Sequence, residues 1–284
     1  MSKIEKDEKQ LCLLELLNRT RLQLFTFEKG TMNKSYPNGA GSGFFFKYKD
    51  NIFLVTADHV CHPSDHKPNT NQRAFEDKDV GIVNNFVVKD ENGIETPILT
   101  PIGGFYYFDK INFTIAKGFD DFKPFDATFA ILEKDCIKYP FNNEGFWVKD
   151  GLSVNAGLSM ICIPSKTIVT PVSNDWYIVY GHTHFRMSTD GFHLTWDTTI
   201  HEGMRYLKDN GDYYVLTPTM PINDKDWEGI SGAPVLNQEG GLLGILCGGI
   251  SKRKEIYVMK MNVVIALMDS TLRIEDIEAN SKKN

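Results

Sequence analysis

Short runs of apolar and β-branched residues, separated by glycine, asparagine and proline, recur along most of the chain. Runs bounded by turn residues in this way are typical of β-strands, and a long series of them predicts a barrel or a sandwich. The candidate strands lie at 22–28, 43–48, 52–56, 81–88, 111–116, 128–132, 159–163, 176–180, 192–196, 213–216, 234–236, 242–247 and 256–261. The ends of the chain, 1–20 and 262–280, instead have the apolar spacing of helices.

The segment GISGAP at 229–234 places Ser231 in a glycine-containing turn. Because glycine tolerates positive φ, the backbone can bend sharply here, expose the serine hydroxyl and aim neighbouring amides at one point. A nucleophile beside an oxyanion hole needs this arrangement. A plain surface turn is the alternative, so the functional interpretation depends on a base and an acid elsewhere in the chain.

Candidates for both groups occur upstream. His59 follows the apolar run 52–57, so we expect it at the end of a buried strand that holds it in place. Asp126 precedes the apolar run 128–132, where a buried carboxylate must be paired, and an imidazole N–H is a suitable partner. A structural histidine and a strand-capping aspartate are the alternatives. The order His59, Asp126, Ser231 is that of chymotrypsin and differs from those of subtilisin and the α/β-hydrolases.

With these blocks and the Gly-Ser-Gly hairpin at 41–43, the chain resembles trypsin/chymotrypsin-like serine peptidases, in particular bacterial, non-secreted members. The resemblance implies an all-β fold of two six-stranded antiparallel β-barrels (chymotrypsin-like) with N-terminal and C-terminal helices. The implied domains are an N-terminal helix at 1–20, a first barrel at 21–140 with His59 and Asp126, a second barrel at 141–270 with Ser231, and a charged C-terminal tail at 271–284.

The same resemblance implies a role for each site residue. Ser231 is the expected nucleophile, His59 the general base and then the general acid, and Asp126 the group that orients His59. The backbone amides of Gly229 and Ser231 are expected to form the oxyanion hole. A strand that pairs with the substrate backbone is expected to line the substrate channel. Its residues are Cys247, Gly248 and Gly249.

Ile230 departs from the family pattern. Members activated by cleavage carry an aspartate at this position, which pairs with the new N-terminus, and isoleucine cannot form that ion pair. We therefore expect the loop that carries Gly229 and Ser231, called the oxyanion loop below, to be ordered in another way. The polar composition of 223–229 leads to the hypothesis that a partner or a ligand gates activity. A gapless count puts Lys225 where trypsin-like enzymes hold an acidic residue, so no cleavage preference is predicted.

The composition is that of an ordinary globular protein, with 42% hydrophobic and 24% charged residues and a net charge of −6. The negative charge argues against a nucleic-acid partner, and no run of about 18 apolar residues indicates a membrane span. The charged start does not resemble a secretory signal, and five cysteines without CxxC spacing indicate free thiols. We expect a cytoplasmic protein with a protein or peptide substrate and an activating protein partner.

Some side chains resemble metal ligands in type and spacing, but loop histidines are the commoner explanation, so no metal and no cofactor are predicted. These side chains are His59, His62 and His66 with Asp58 and Asp65, and the pair His182 and His184. Three functions compete. They are an intracellular serine endopeptidase that forms an acyl-enzyme, a catalytically silent peptide-binding module on the same scaffold, and an acyl hydrolase that acts on esters. The complete set of three residues favours the first, and their order disfavours the third.

Overall fold

A computed structural model describes residues 3–32, 34–66, 78–89, 95–111, 122–132, 141–147, 153–187 and 194–281. The described residues of the first half contain eleven strands. They are β1 (Leu22–Glu28), β2 (Gly39–Tyr48), β3 (Asn51–Thr56), β4 (Lys78–Lys89), β5 (Glu95–Ile102), β6 (Asp109–Ile111), β7 (Phe122–Pro124), β8 (Thr128–Leu132), β9 (Phe146–Trp147), β10 (Ser153–Val154) and β11 (Ile163–Pro164). Seven of them form one sheet, with β5, β4, β1, β2, β3 and β8 side by side and β11 parallel to β2.

The second half forms a closed six-stranded barrel in the order β12, β13, β14, β17, β16, β15. All six neighbouring pairs of strands in it are antiparallel. Its strands are β12 (Trp176–Met187), β13 (Leu194–Asn210), β14 (Tyr213–Thr217), β15 (Pro234–Asn237), β16 (Leu242–Ile250) and β17 (Glu255–Lys260). The α-helices are α1 (Lys3–Thr20), α2 (Asp58–Cys61) and α3 (Met261–Ser281).

The predicted all-β fold class with terminal helices is confirmed, with one difference in form. The second half is a closed barrel, whereas the described strands of the first half form an open sheet. The strand predicted at 111–116 lies outside the described residues except for residue 111, and only 194–196 of the strand predicted at 192–196 is described. Residues 271–281, expected as part of a charged tail, are the end of α3.

Two differences from the predicted strands have different physical reasons: β5 was not predicted, and β13 is much longer than the strand predicted at 192–196. β5 contains Pro97 and Pro101, which argue against a strand, but it lies at the edge of its sheet, where a missing N–H leaves no ladder bond unmade. β13 continues to Asn210 through a mostly polar stretch in which Met204 is a fully buried exception. Its hydrogen bonds to β12 and β14 hold it as a strand although the apolar pattern is weak.

One apolar core joins the two halves. It combines buried side chains of the first sheet with side chains of the barrel and of α3. Examples are Phe46, Phe53 and Phe129 from the sheet, Ile178 and Leu242 from the barrel, and Val264 and Met268 from α3. A second core fills the barrel interior. Because the first core contains side chains from both halves, it holds the sheet and the barrel in a fixed position relative to each other. Among the described residues, no helix has the length and apolar character needed to cross a membrane.

We expect Phe53→Ala to lower the free energy of unfolding by about 3–5 kcal/mol, because it empties a fully buried site in this shared core. The Phe53 ring packs edge-on against Phe129 with ring centroids 5.4 Å apart. Urea unfolding followed by fluorescence measures the change. Tyr36→Ala, at a side chain that is 58% exposed, is the control and should change stability little. A loss below about 1 kcal/mol in Phe53→Ala would contradict the assignment of this ring to the shared core.

Candidate active site

Strand pairing brings His59 and Asp126 together. His59 lies in α2, which begins two residues after the end of β3, and Asp126 lies two residues before the start of β8. The two strands are antiparallel with Thr56 opposite Thr128, so the end of one lies beside the start of the other. Nδ1 of His59 is 2.7 Å from Oδ1 of Asp126, and the His59 backbone N–H donates to the same oxygen at 3.1 Å. Since an ionised carboxylate only accepts hydrogen bonds, Nδ1 carries the proton and Nε2 is left as the basic nitrogen.

The pair shifts the pKa of each partner toward the charged form. Burial alone would lower the pKa of His59, but the charge and hydrogen bond of Asp126, with the charge of Asp58, raise it. Burial would likewise raise the pKa of Asp126, but the charge and hydrogen bonds of His59, with the charge of His66, lower it. The arrangement therefore stabilises the protonated, positively charged form of His59, which a histidine acting as a general base must adopt.

Ser231 is held in a tight turn between β14 and β15. Gly229 and Gly232 adopt φ of +96° and +89°, values that favour glycine. A Cβ on Gly232 would collide with the carbonyl oxygen of Ser42 and the hydroxyl of Thr56. The backbone N–H of Ser42 donates to the carbonyl of Ser231 at 2.7 Å, and its hydroxyl donates to the carbonyl of Gly229 at 2.9 Å. The turn is thus fastened to β2 of the first sheet.

The amides predicted to form the oxyanion hole have no acceptor in the part of the chain that the structure describes. These are the N–H groups of Gly229 and Ser231, whereas all their neighbours donate to backbone carbonyls. The donating neighbours are Glu228, Ile230, Gly232 and Ala233. Two unpartnered donors beside a serine are what a developing oxyanion requires.

A cleft of about 450 Å³ joins these groups, because His59, Gly229 and Ser231 all line it. Asp126 lies behind His59, so all three predicted triad residues occur in one place. Within the described residues, the His59 ring bonds to Asp126, and no hydrogen bond joins it to the Ser231 hydroxyl. The cleft wall also contains apolar, polar and charged side chains, among them Val60, Ser64, Lys78 and Glu228.

The predicted substrate-channel residues lie on β16. Cys247 donates its thiol to the backbone carbonyl of Asp126 at 3.2 Å, so this strand contacts the acid from the barrel side. Burial raises the pKa of the Cys247 thiol well above its usual range, and the charge of Asp126 adds to this, so the group stays a neutral donor. A register shift lies between Leu246 and Gly248, and Gly249 is exposed. Their contact with a substrate stays a prediction.

Ile230 has an apolar role instead of an ionic one. Its side chain is fully buried in the barrel core, against Gly181, where any Cβ would clash with it. The adjacent segment is also packed. The rings of Trp227 and His201 stack with their centroids 3.8 Å apart, and Nε2 of His201 is 2.9 Å from the carbonyl oxygen of Asp226. The loop that carries Gly229 and Ser231 is therefore anchored by side chains of this chain itself. Gating by a partner or a ligand stays a hypothesis.

The side chains weighed as metal ligands are bonded to one another or to other partners. Both oxygens of the buried Asp58 carboxylate contact imidazoles, Nδ1 of His62 and Nε2 of His66, each at 2.7 Å. Within the described ranges no group of three or more histidines, cysteines, aspartates or glutamates could hold a metal ion. Lys225 and Glu228 line a separate pocket of about 280 Å³ with His184, Phe185 and Arg186, and nothing there fixes a cleavage preference.

Sequence reasoning missed the residues that hold the loop from behind. Ser42, Thr56 and Arg21 are buried polar side chains that reach the loop directly or through one another. The signal for Ser42 was its place between Gly41 and Gly43, a spacing that permits close approach of another backbone. Arg21 gave no signal, because a single arginine between a helix and a strand is ordinary on a protein surface.

Comparisons with known proteins give similarity in structure only. No protein-family model matches the chain, and no curated protein sequence matches it. Among solved structures, a serine endoprotease from Yersinia pestis is similar with 13% identity and a TM-score of 0.47, covering 93% of this chain and 66% of that one. Deg5 is similar with 15% identity and a TM-score of 0.43, covering 92% and 93%. Resemblance at this level assigns no activity to this chain.

The hydrogen bond between His59 and Asp126 predicts a specific pH dependence. A raised histidine pKa contributes stability below the unfolded value of about 6.5 and loses it as pH rises through the folded pKa. A lowered aspartate pKa contributes stability above about 3.9 and loses it as pH falls through the folded pKa. The pair is therefore most stabilising between these two values.

In Asp126→Asn we expect NMR titration to show a lower pKa for His59, whereas Asp50→Asn, distant from the site, should leave it unchanged. An unchanged value in Asp126→Asn would contradict the pairing.

Ile230→Asp should lower the free energy of unfolding by about 3 kcal/mol or more, because it buries a carboxylate in an apolar core without a cation. Ile230→Val should lower it by only about 1 kcal/mol. Chemical denaturation of both variants measures the difference. Ile274→Asp, at a position that is 58% exposed on α3, controls for the added charge. Equal stability of Ile230→Asp and wild type would mean that a cation reaches this position.

Proposed function

We propose that the chain is a serine endopeptidase that hydrolyses peptide bonds through His59, Asp126 and Ser231. The observation that carries the proposal is the cleft lined by His59, whose imidazole is oriented by a carboxylate, and by Ser231, beside two amides that have no acceptor among the described residues. Cytoplasmic location, a protein or peptide substrate and an activating partner are further parts of the proposal that rest on the sequence alone.

The proposed mechanism follows from the roles of these groups. Nε2 of His59 takes the proton of the Ser231 hydroxyl while Oγ bonds to the carbonyl carbon of the substrate. The amides of Gly229 and Ser231 stabilise the resulting oxyanion, and loss of one such donor costs about 3–4 kcal/mol of barrier. His59 then gives its proton to the leaving amine, and the carbon–nitrogen bond breaks. Water repeats the sequence on the acyl-enzyme and releases the acid, while Asp126 stabilises the imidazolium in both halves.

A catalytically silent peptide-binding module is the second candidate. It is favoured by one observation: no described hydrogen bond joins the Ser231 hydroxyl to the His59 ring. Such bonds are often long before substrate binds, so the endopeptidase remains the better supported proposal. The two candidates differ in one measurable property, the reactivity of Ser231.

Fluorophosphonate labelling of purified protein tests this property. We expect wild type to be labelled at Ser231 by mass spectrometry, and Ser231→Ala and His59→Ala to lose the label. The matched control is Ser64→Ala, because Ser64 lines the same cleft and is not placed in the reaction. Label on Ser231 followed by turnover of a peptide would support the endopeptidase. A folded wild-type chain without label, alone and in cell lysate, would leave the binding module as the function.

A further inference from the structure

Arg21 occupies a position where charged residues are rare. It lies between α1 and β1, and only 4% of the residue is exposed. Burial lowers the pKa of its guanidinium to about 10, which still leaves it charged at neutral pH. A buried charge must be hydrogen-bonded or paired to be tolerated, so its partners indicate what the residue does.

The partners of Arg21 connect it to the oxyanion loop. Nε donates to the hydroxyl of Ser42 at 3.0 Å, and that hydroxyl donates to the carbonyl of Gly229 at 2.9 Å. A hydroxyl has one proton, and a guanidinium cannot accept. The direction is therefore fixed: Arg21 donates to Ser42, and Ser42 must donate to Gly229. A charged donor on a hydroxyl polarises it and strengthens the bond that it makes in turn.

The remaining nitrogens of Arg21 are also occupied. One contacts Nδ1 of His182 at 2.9 Å, and another donates to the side chain of Gln23. Because Arg21 only donates, Nδ1 of His182 accepts, so this histidine is neutral with its proton on Nε2. Burial, reinforced by the charge of Arg21, lowers the pKa of His182 well below its usual range, in keeping with that state. The carboxylate of Glu144 lies 3.7 Å from Nε2 of His182, and its charge favours the charged form of Arg21.

We propose that Arg21 is a positioning residue for the oxyanion loop and acts through Ser42. The inference rests on the proposed function. The Ser42 hydroxyl holds the peptide unit that joins Gly229 to Ile230, and the Ser42 amide holds the unit that follows Ser231, so the one unit between them is fixed at both ends. The buried Ile230 side chain fixes the residue between them from the opposite side. The Ser231 amide lies on that unit, so it remains turned away from backbone acceptors and available to an oxyanion, and the Gly229 amide lies on the same glycine whose carbonyl Ser42 holds.

The test compares Arg21→Met, Ser42→Ala, the double variant and a control, Arg273→Met, which removes an exposed arginine from α3. In the single variants we expect the rate of Ser231 phosphonylation to fall on the order of 10- to 100-fold, less than the loss of a whole oxyanion donor. Because both residues act along one path, the double variant should be no slower than the slower single variant by more than about twofold. Arg273→Met should react as wild type does.

Two further measurements separate positioning from general stability. Hydrogen exchange should become faster within 227–233 in Arg21→Met and Ser42→Ala and stay unchanged in the core strands. The NMR titration of His59 should not move, because its partner Asp126 is outside this path. Wild-type rates and exchange in Ser42→Ala, or faster exchange spread over the whole chain in both variants, would overturn the proposal. If wild type itself takes no label, the endopeptidase fails, and the exchange in 227–233 still decides whether Arg21 holds the loop.

Discussion

Ser42 contacts the loop at 229–231 with both its backbone and its side chain, and this contact aligns the two halves of the candidate site. His59 and Asp126 come from the first sheet, whereas Ser231 lies on a turn of the barrel. The Ser42 amide and hydroxyl bridge them through the carbonyls of Ser231 and Gly229. A displacement of about 1 Å between reacting groups can cost on the order of 100-fold in rate, so a direct bond between the two halves beside the reacting groups bears on the geometry of the site.

The way in which the loop is anchored determines what kind of control is compatible with it. Burial of a side chain such as Ile230 contributes about 1.5–3 kcal/mol and depends on no cleavage or titration. An ion pair to a new N-terminus is conditional by comparison, because the partner exists only after processing. In this chain the loop therefore has a permanent anchor on its barrel side. Any gate would have to act on the exposed part of 223–228 or on access to the cleft.

The sequence predicted most of the longer strands and the three candidate residues because each has a local signature, whereas the barrel arrangement was implied by the resemblance to a known family. Apolar runs between turn residues mark the strands, and Ser231 lies in a glycine turn that only a special backbone would need. It did not predict β5, whose prolines are tolerated only because the strand is at an edge, nor the polar end of β13. Ser42 and Arg21 were missed because their roles depend on contacts across 187 and 161 residues of chain, to Gly229 and His182 respectively.

A buried arginine is costly, and its cost explains how it can bias the loop. If the Gly229 carbonyl turned away from Ser42, the hydroxyl would keep its charged donor but lose its acceptor. An unsatisfied buried polar group costs about 1–3 kcal/mol, which corresponds to a preference of about 5- to 150-fold for the loop orientation in which the bond is made. The preference arises because the Ser42 hydroxyl already accepts a hydrogen bond from Arg21, so its own proton points toward the Gly229 carbonyl. A neutral residue at position 21 would let Ser42 reverse its role, and the loop would lose that bias even if it kept its other contacts.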